Sequence, residues 1–180
     1  MRLISDFLSS THALNLQNWL EQAHEVSWMR ESFVIYGRSV LAPRSLAWFG
    51  EPGLNYRYTQ LDHIGAGWPA PIAKLRQQVE SASGQRFNFV LINRYAHGQE
   101  HMGWHRDDEK GCCGDIASLS IGATRRFSID IDAADAPRRE SVDLNNGSLL
   151  IFDGRQRHCL RPTKKPVAQR INLTFRLIET

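Results

Sequence analysis

RINLTFRLI, residues 170–178, alternates residue by residue. Ile171, Leu173, Phe175 and Leu177 fall on one face of an extended chain, and Arg170, Asn172, Thr174 and Arg176 fall on the other. Such alternation marks a β-strand with one apolar face. The polar face has two readings: it meets solvent, or it lines a cavity. Two arginines six residues apart on one face would suit a dicarboxylate, because a guanidinium offers carboxylate a planar, two-pronged fork. Similar runs precede it at FNFVLINRY (87–95), DIASLSIG (115–122), RRFSIDID (125–132) and ESVDLNNGSLLIF (140–152). In the first of these the same count puts Asn93 and Tyr95 on one face. Asn145-Asn146-Gly147, between two apolar runs, predicts a hairpin turn.

The stretch before these strands is different. Ser10 or Thr11 is placed to cap a helix reaching about Ala23, with Leu16, Trp19, Leu20 and Ala23 on one face. A second helix is expected from Pro69–Pro71, on the repeat Ile72, Leu75 and Val79, ending at Gly84. Between them, residues 28–61 alternate aromatic and polar residues around Gly37, Pro43, Gly50 and Gly53, the pattern of short strands and turns. Helices followed by mostly antiparallel strands predict an α+β domain with a sandwich or jelly-roll core.

At 180 residues the chain has the length of one domain. Its 42% apolar and 23% charged residues exclude disordered and collagen-like classes. A net charge of +3 names no partner by itself. Its distribution says more: Arg155, Arg157, Arg161, Lys164, Lys165, Arg170 and Arg176 stand between Gly154 and Leu177 without one acid. Beyond the two arginines of the strand, the remaining five are candidate phosphate contacts. No apolar run approaches the ~18 residues of a membrane span. The opening MRLISDFLSS lacks the apolar stretch of a secretory leader. Cys112, Cys113 and Cys159 are an odd set, which is no disulfide framework and suits a reducing, intracellular compartment. Cys112-Cys113 is expected in a glycine-flanked surface loop, and Cys159 in the core.

His105-Arg106-Asp107 is the second focus. Residues i and i+2 of an extended segment face the same way, so an imidazole and a carboxylate can converge on a metal. His158, just past SLLIF and the Asp153-Gly154 turn, is the candidate third ligand. Two histidines and one carboxylate make the facial set of non-haem Fe(II) oxygenases, which leaves positions open for a co-substrate and dioxygen. The competing stripe His97, His101 and His105 would need a helix that Gly98 and Gly103 break.

The order Asn93-Arg94-Tyr95, Gly98, His105-Arg106-Asp107-Asp108-Glu109, His158 and Arg170-Ile171-Asn172-Leu173-Thr174-Phe175-Arg176 resembles the AlkB family of Fe(II)- and 2-oxoglutarate-dependent nucleic-acid dealkylases. Upstream, Tyr36-Gly37-Arg38, Pro43-Arg44 and Gly53-Leu54-Asn55-Tyr56-Arg57-Tyr58 resemble the intercalating hairpin and nucleotide-recognition lid of its duplex-DNA repair branch. The resemblance implies one domain over 1–180, with helices and lid in 1–86 and a double-stranded β-helix, or jelly roll, in 87–180. It implies Fe(II) on the catalytic set His105, Asp107 and His158. The 2-oxoglutarate pocket would be lined by Asn93, Tyr95, Arg170, Asn172, Thr174 and Arg176, with Arg170 on the distal carboxylate; dioxygen is the third reactant. Substrate contacts would come from Tyr36, Gly37, Arg38, Arg44, Tyr56, Tyr58, Asp108 and Glu109, with Tyr58 stacked on a flipped base. Tyr36 stands where that branch usually carries an apolar aromatic. The implied reaction removes methyl groups from bases of the 1-methyladenine and 3-methylcytosine type in DNA. It releases formaldehyde and converts 2-oxoglutarate to succinate and CO2. The alternative is RNA or another non-DNA substrate. The expected partner is alkylated DNA, as duplex or single strand, with no membrane and a monomeric enzyme, in the cytoplasm of a bacterium or the nucleus of a eukaryote.

Overall fold

Two sheets face each other, and helices cover the outer face of the larger one. The computed structural model describes residues 1–35, 37–58, 61–131 and 138–179. In chain order its elements are β1 (Arg2–Ile4), α1 (Ser10–Gln22), β2 (Ser32–Ile35), β3 (Arg38–Leu41), β4 (Ser45–Gly50), β5 (Asn55–Tyr58), β6 (Leu61–Ile64), α2 (Ala70–Ser83), β7 (Phe89–Tyr95), β8 (Met102–His105), β9 (Cys112–Gly122), β10 (Arg125–Ile131), β11 (Arg138–Leu144), β12 (Leu149–Asp153), β13 (His158–Leu160) and β14 (Arg170–Ile178). The major sheet runs β1-β12-β9-β14-β7-β4, and the minor sheet β11-β10-β13-β8. Two hairpins, β2-β3 and β5-β6, form separate two-stranded sheets. This is the jelly-roll architecture that the alternating strands predict.

The two faces of β14 explain the layers. Ile171, Leu173 and Phe175 pack with Val90 and Ile92 of β7 beneath Leu16 and Leu20 of α1 and Ile72, Leu75 and Val79 of α2. Each such side chain contributes roughly 1.5–3 kcal/mol when fully buried. The opposite face carries Arg170, Asn172, Thr174 and Arg176, all at most 8% exposed. β14 lies between β9 and β7, so its polar face meets the minor sheet rather than solvent. At the far end of the same space, Ile116, Phe127, Ile129, Leu144, Leu150 and Phe152 close an apolar core.

Three expectations change. Helix α1 is capped by Ser9, whose hydroxyl accepts from the His12 N–H at 3.3 Å, and not by Ser10 or Thr11. Asn145–Gly147 is no hairpin, because β11 and β12 belong to different sheets. Its asparagines bond the β9–β10 turn instead, Asn146 Oδ1 accepting from Gly122 N–H at 2.9 Å and Asn145 Oδ1 from Thr124 at 3.1 Å. Cys112 and Cys113 open β9 opposite Ile178 and Leu177, since the long β14 carries its ladder past the glycines. Cys159 is buried, as expected.

Candidate active site

The open end of the space between the sheets holds the chemistry. His105 ends β8 and His158 begins β13, and the two are direct cross-strand partners. Their ring centroids are 4.3 Å apart. Asp107 follows in an irregular segment held by its N–H, which donates to the Gly154 carbonyl at 2.8 Å. Gly154 has no room for a side chain, since a Cβ there would lie 2.4 Å from Ile116 Cδ1 and 3.2 Å from Asp107 Cβ. The ligand-type atoms of His105, Asp107 and His158 all lie within 4.8 Å of one another.

Backbone carbonyls set both tautomers. His105 Nδ1 lies 2.8 Å from Gly103 O, and His158 Nδ1 lies 2.8 Å from Gln156 O. A carbonyl only accepts, so each Nδ1 carries a proton and each Nε2 turns toward Asp107. Those distances are 3.5 Å from His105 to Oδ1 and 3.9 Å from His158 to Oδ2. Burial pushes the His158 pKa down to about 4, which keeps the ring neutral. Burial alone would raise the Asp107 pKa, but the Arg176 guanidinium beside it outweighs burial and holds the carboxyl well below its usual range. Arg176 Nη2 lies 2.5 Å from Asp107 Oδ2. The other oxygen, Oδ1, is buried without a hydrogen-bond partner among the described residues.

Deeper in the same pocket Arg170 donates from Nη2 to Ser120 Oγ at 2.9 Å. Its Nε is buried and unpaired, and no carboxylate among the described residues forms an ion pair with it. Burial pushes its pKa down to about 10. Tyr95 lies against this guanidinium, its ring centroid 5.6 Å from Arg170 Cζ. Asn172 donates to Ser118 Oγ at 2.7 Å and to Leu119 O at 3.0 Å, and accepts from the Thr174 hydroxyl at 3.0 Å. Asn93 lines the pocket on the β7 side and accepts from Arg44 Nε at 2.7 Å.

A second recess opens beside the histidines, lined by Pro43, Arg44, Tyr58, Met102, His105 and Glu109 among others. Arg44 is 3% exposed and also donates to the Tyr58 hydroxyl at 3.1 Å. Tyr58 stacks on Tyr56 at 5.9 Å and 22°. Tyr56 lines neither recess; its hydroxyl donates to Glu109 Oε2 at 3.0 Å from beneath. Burial, with the Asp107 charge, raises the Glu109 pKa. Asp108 points to solvent, and Gly37 and Arg38 are exposed on the β2–β3 hairpin, where Gly37 takes a φ of 75°. These three line neither recess. Tyr36 lies outside the described residues. Of the five basic candidates, Arg155 is taken by a two-pronged pair with Asp153 at 3.0 Å, and Arg157 lies over Trp104 at 5.1 Å. Arg161, Lys164 and Lys165 are exposed.

Sequence reading missed Ser118 and Ser120, which receive the pocket donors of β14. Alternation in DIASLSIG puts both on one face, so that signal was available. It also missed Arg125, whose buried guanidinium donates to Glu100 O at 2.8 Å and Arg161 O at 2.7 Å.

A jelly roll holding two histidines and one carboxylate beside buried arginines defines the class of non-haem iron oxygenases that use a 2-oxo acid. The family described as the 2OG-Fe(II) oxygenase superfamily matches residues 1–176, and the chain belongs to it. It is 39% identical over 156 residues to DNA oxidative demethylase ALKBH2 of Bos taurus, covering 80% of this chain and 56% of that protein. It is 31% identical over 174 residues to alpha-ketoglutarate-dependent dioxygenase alkB homolog 3 of Homo sapiens, covering 88% of this chain and 60% of that one. The chain thus spans little more than half the length of these relatives. These names agree with the AlkB resemblance. The solved structure of OsALKBH1 superposes with a TM-score of 0.66 at 16% identity, covering 97% of this chain and 96% of the other, and supports the fold.

The superfamily's cofactors fit the donors present. Asp107 Oδ1 and the two Nε2 atoms make a hard, mixed N/O set with one carboxylate oxygen unsatisfied, which suits Fe(II). The uncompensated guanidinium of Arg170 suits the far carboxylate of 2-oxoglutarate.

Proposed function

We propose that the protein is an oxidative demethylase of N-alkylated bases in DNA, of the 1-methyladenine and 3-methylcytosine type. The observation that carries this reading is the recess of Tyr58, Arg44 and Glu109 opening directly beside His105. The similarity to a DNA oxidative demethylase supports the choice of nucleic acid.

His105, Asp107 and His158 would hold Fe(II), and Arg170 would take the distal carboxylate of 2-oxoglutarate. When bound, iron, 2-oxoglutarate and dioxygen supply the oxidising power that hydroxylates an N-methyl carbon, leaving succinate, CO2, formaldehyde and the repaired base. The chain's own work is positional. A base inside a duplex is out of reach, so it must be flipped, at a cost of a few kcal/mol. A methyl on the pairing edge weakens pairing and lowers that cost. The Tyr58 ring offers the flipped base a stacking platform, and Arg44 fixes the ring through its hydroxyl. Glu109, fixed by Tyr56 beneath, faces the recess with a carboxylate that favours a cationic adduct over a neutral one.

The test is turnover with Fe(II), 2-oxoglutarate and a 1-methyladenine oligonucleotide. Formaldehyde and succinate in equal amounts are expected. Oxidation of 2-oxoglutarate without loss of the methyl would overturn the substrate. The same lesion in single-stranded DNA, duplex DNA and RNA ranks the three.

A further inference from the structure

Strand β6 runs against the pattern of its neighbours. Its apolar ends, Leu61 and Ile64, are 45% and 58% exposed, while His63 is 1% exposed. A strand that turns its histidine inward and its apolar residues outward sets local preference against burial. Such conflicts gather at functional positions.

Both nitrogens of this buried ring are engaged. Nδ1 lies 3.2 Å from the main-chain oxygen of Tyr56, and Nε2 lies 3.1 Å from Glu31 Oε1. The carbonyl only accepts, so Nδ1 carries a proton, and a second proton lies between Nε2 and the Glu31 carboxyl. Glu31 sits at the foot of the β2–β3 hairpin, where its carbonyl accepts from the Ala42 N–H at 2.8 Å. The His63 ring meets Trp48 edge-on at 4.6 Å and lies 6.1 Å from the Tyr58 ring. One buried pair therefore ties the foot of one hairpin to the strand partner of Tyr56 in the other. Backbone bridges Met29–Leu46 and Gly50–Gly67 tie the chain beside each hairpin to β4, but neither hairpin's own strands pair with the major sheet, which leaves their placement beyond those anchors to side-chain contacts.

We propose that Glu31 and His63 form a positioning clamp that sets the β5–β6 hairpin over the metal site, and so places Tyr58 at the nucleobase recess with Tyr56 beneath it. The clamp touches no substrate. It rests on the demethylase reading for what occupies that recess. A buried polar pair suits this task because its geometry admits one register, where apolar contacts tolerate several.

The test uses the full chain with three sets of changes: His63→Leu, Glu31→Gln, and Glu31→Leu with His63→Leu. His63→Leu should raise KM for a 1-methyladenine oligonucleotide about tenfold while the affinity of the Mn(II)-loaded protein for 2-oxoglutarate stays within about twofold. Glu31→Gln keeps a hydrogen-bonding partner for Nε2 and should leave KM near the parent value. The double change removes both members of the buried pair, so it should recover much of the melting temperature lost in His63→Leu without recovering KM. If His63→Leu fails to fold, the double variant decides. A double variant with the parent's KM would overturn the clamp, as would a His63→Leu protein losing oligonucleotide and 2-oxoglutarate equally. Hydrogen exchange reads the clamp without any substrate. The Tyr56 amide should exchange faster in His63→Leu than in Glu31→Gln, and equal rates would overturn it. Absence of demethylation by the parent protein would sink the demethylase reading and leave this exchange result standing.

Discussion

Arg176 and Asp107 form a buried ion pair, with Nη2 2.5 Å from Oδ2 and both side chains 3% exposed. The guanidinium supplies, in a water-poor pocket, the positive charge that keeps the carboxyl of a proposed metal ligand ionised. It leaves Oδ1 unengaged. Breaking such a pair strands one charge, which typically costs about 3–5 kcal/mol, whereas replacing both partners by apolar groups is often neutral. Asp107→Asn should therefore destabilise the metal-free protein by about 3 kcal/mol. Asp107→Leu with Arg176→Met should recover most of that loss in urea denaturation. If Asp107→Asn unfolds at the parent's urea concentration, the pair contributes little.

Arg170 makes the opposite prediction. Its charge is buried, pushed toward neutrality, and lacks a carboxylate partner among the described residues. Arg170→Met should raise the stability of the metal-free protein by about 1 kcal/mol, in the manner of other stability–activity trade-offs. The same change should abolish binding of 2-oxoglutarate to the Mn(II)-loaded protein at concentrations that saturate the parent. Thermal melting with and without 2-oxoglutarate reads both effects. A less stable variant would mean that Ser120 and Tyr95 already satisfy the guanidinium.

Gly154 tests how tightly Asp107 is held. Its carbonyl receives the Asp107 N–H, and an added methyl would press on Ile116 and on Asp107 Cβ. Overpacking of this kind costs about 1–3 kcal/mol. Because one of the two neighbours is a proposed ligand, Gly154→Ala should also weaken Mn(II) binding, measured by titration at constant pH. Gly103→Ala is the control, since nothing lies near its added methyl. Equal metal affinity in the two variants would count against the strain.

Local spacing made the faces legible, and long-range pairing did not follow from it. The alternation over 170–178 reads as a strand with the observed ends, and it assigns the four pocket side chains to one face. It is silent on neighbours, and the position of β14 between β9 and β7 is what decides between solvent and cavity. Asn145–Gly147 carries correct turn chemistry but connects two sheets, a choice made by residues of the β9–β10 turn. Glycines around Cys112-Cys113 suggested a loop, yet the ladder to Leu177 and Ile178 overrides them. His105 and Asp107 are legible because they stand two residues apart. Arg44 and Asn93 are 49 apart and Glu31 and His63 are 32 apart, and no spacing rule joins them.

Tyr58 separates stacking from hydrogen bonding at the recess. Its ring lies over Tyr56, and its hydroxyl accepts from Arg44, which in turn holds Asn93. Stacking of a base on an aromatic ring contributes about 1–3 kcal/mol. Tyr58→Ala should therefore raise KM for a methylated oligonucleotide between about fivefold and two orders of magnitude. Tyr58→Phe keeps the ring and removes the oxygen, so substrate KM should move little. Its effect should fall on Arg44, and through Asn93 on the co-substrate pocket, as a modest loss of 2-oxoglutarate affinity. A Tyr58→Phe variant as poor toward the oligonucleotide as Tyr58→Ala would place the contribution in the hydroxyl, and the recess would then read its base by a polar contact rather than by its face.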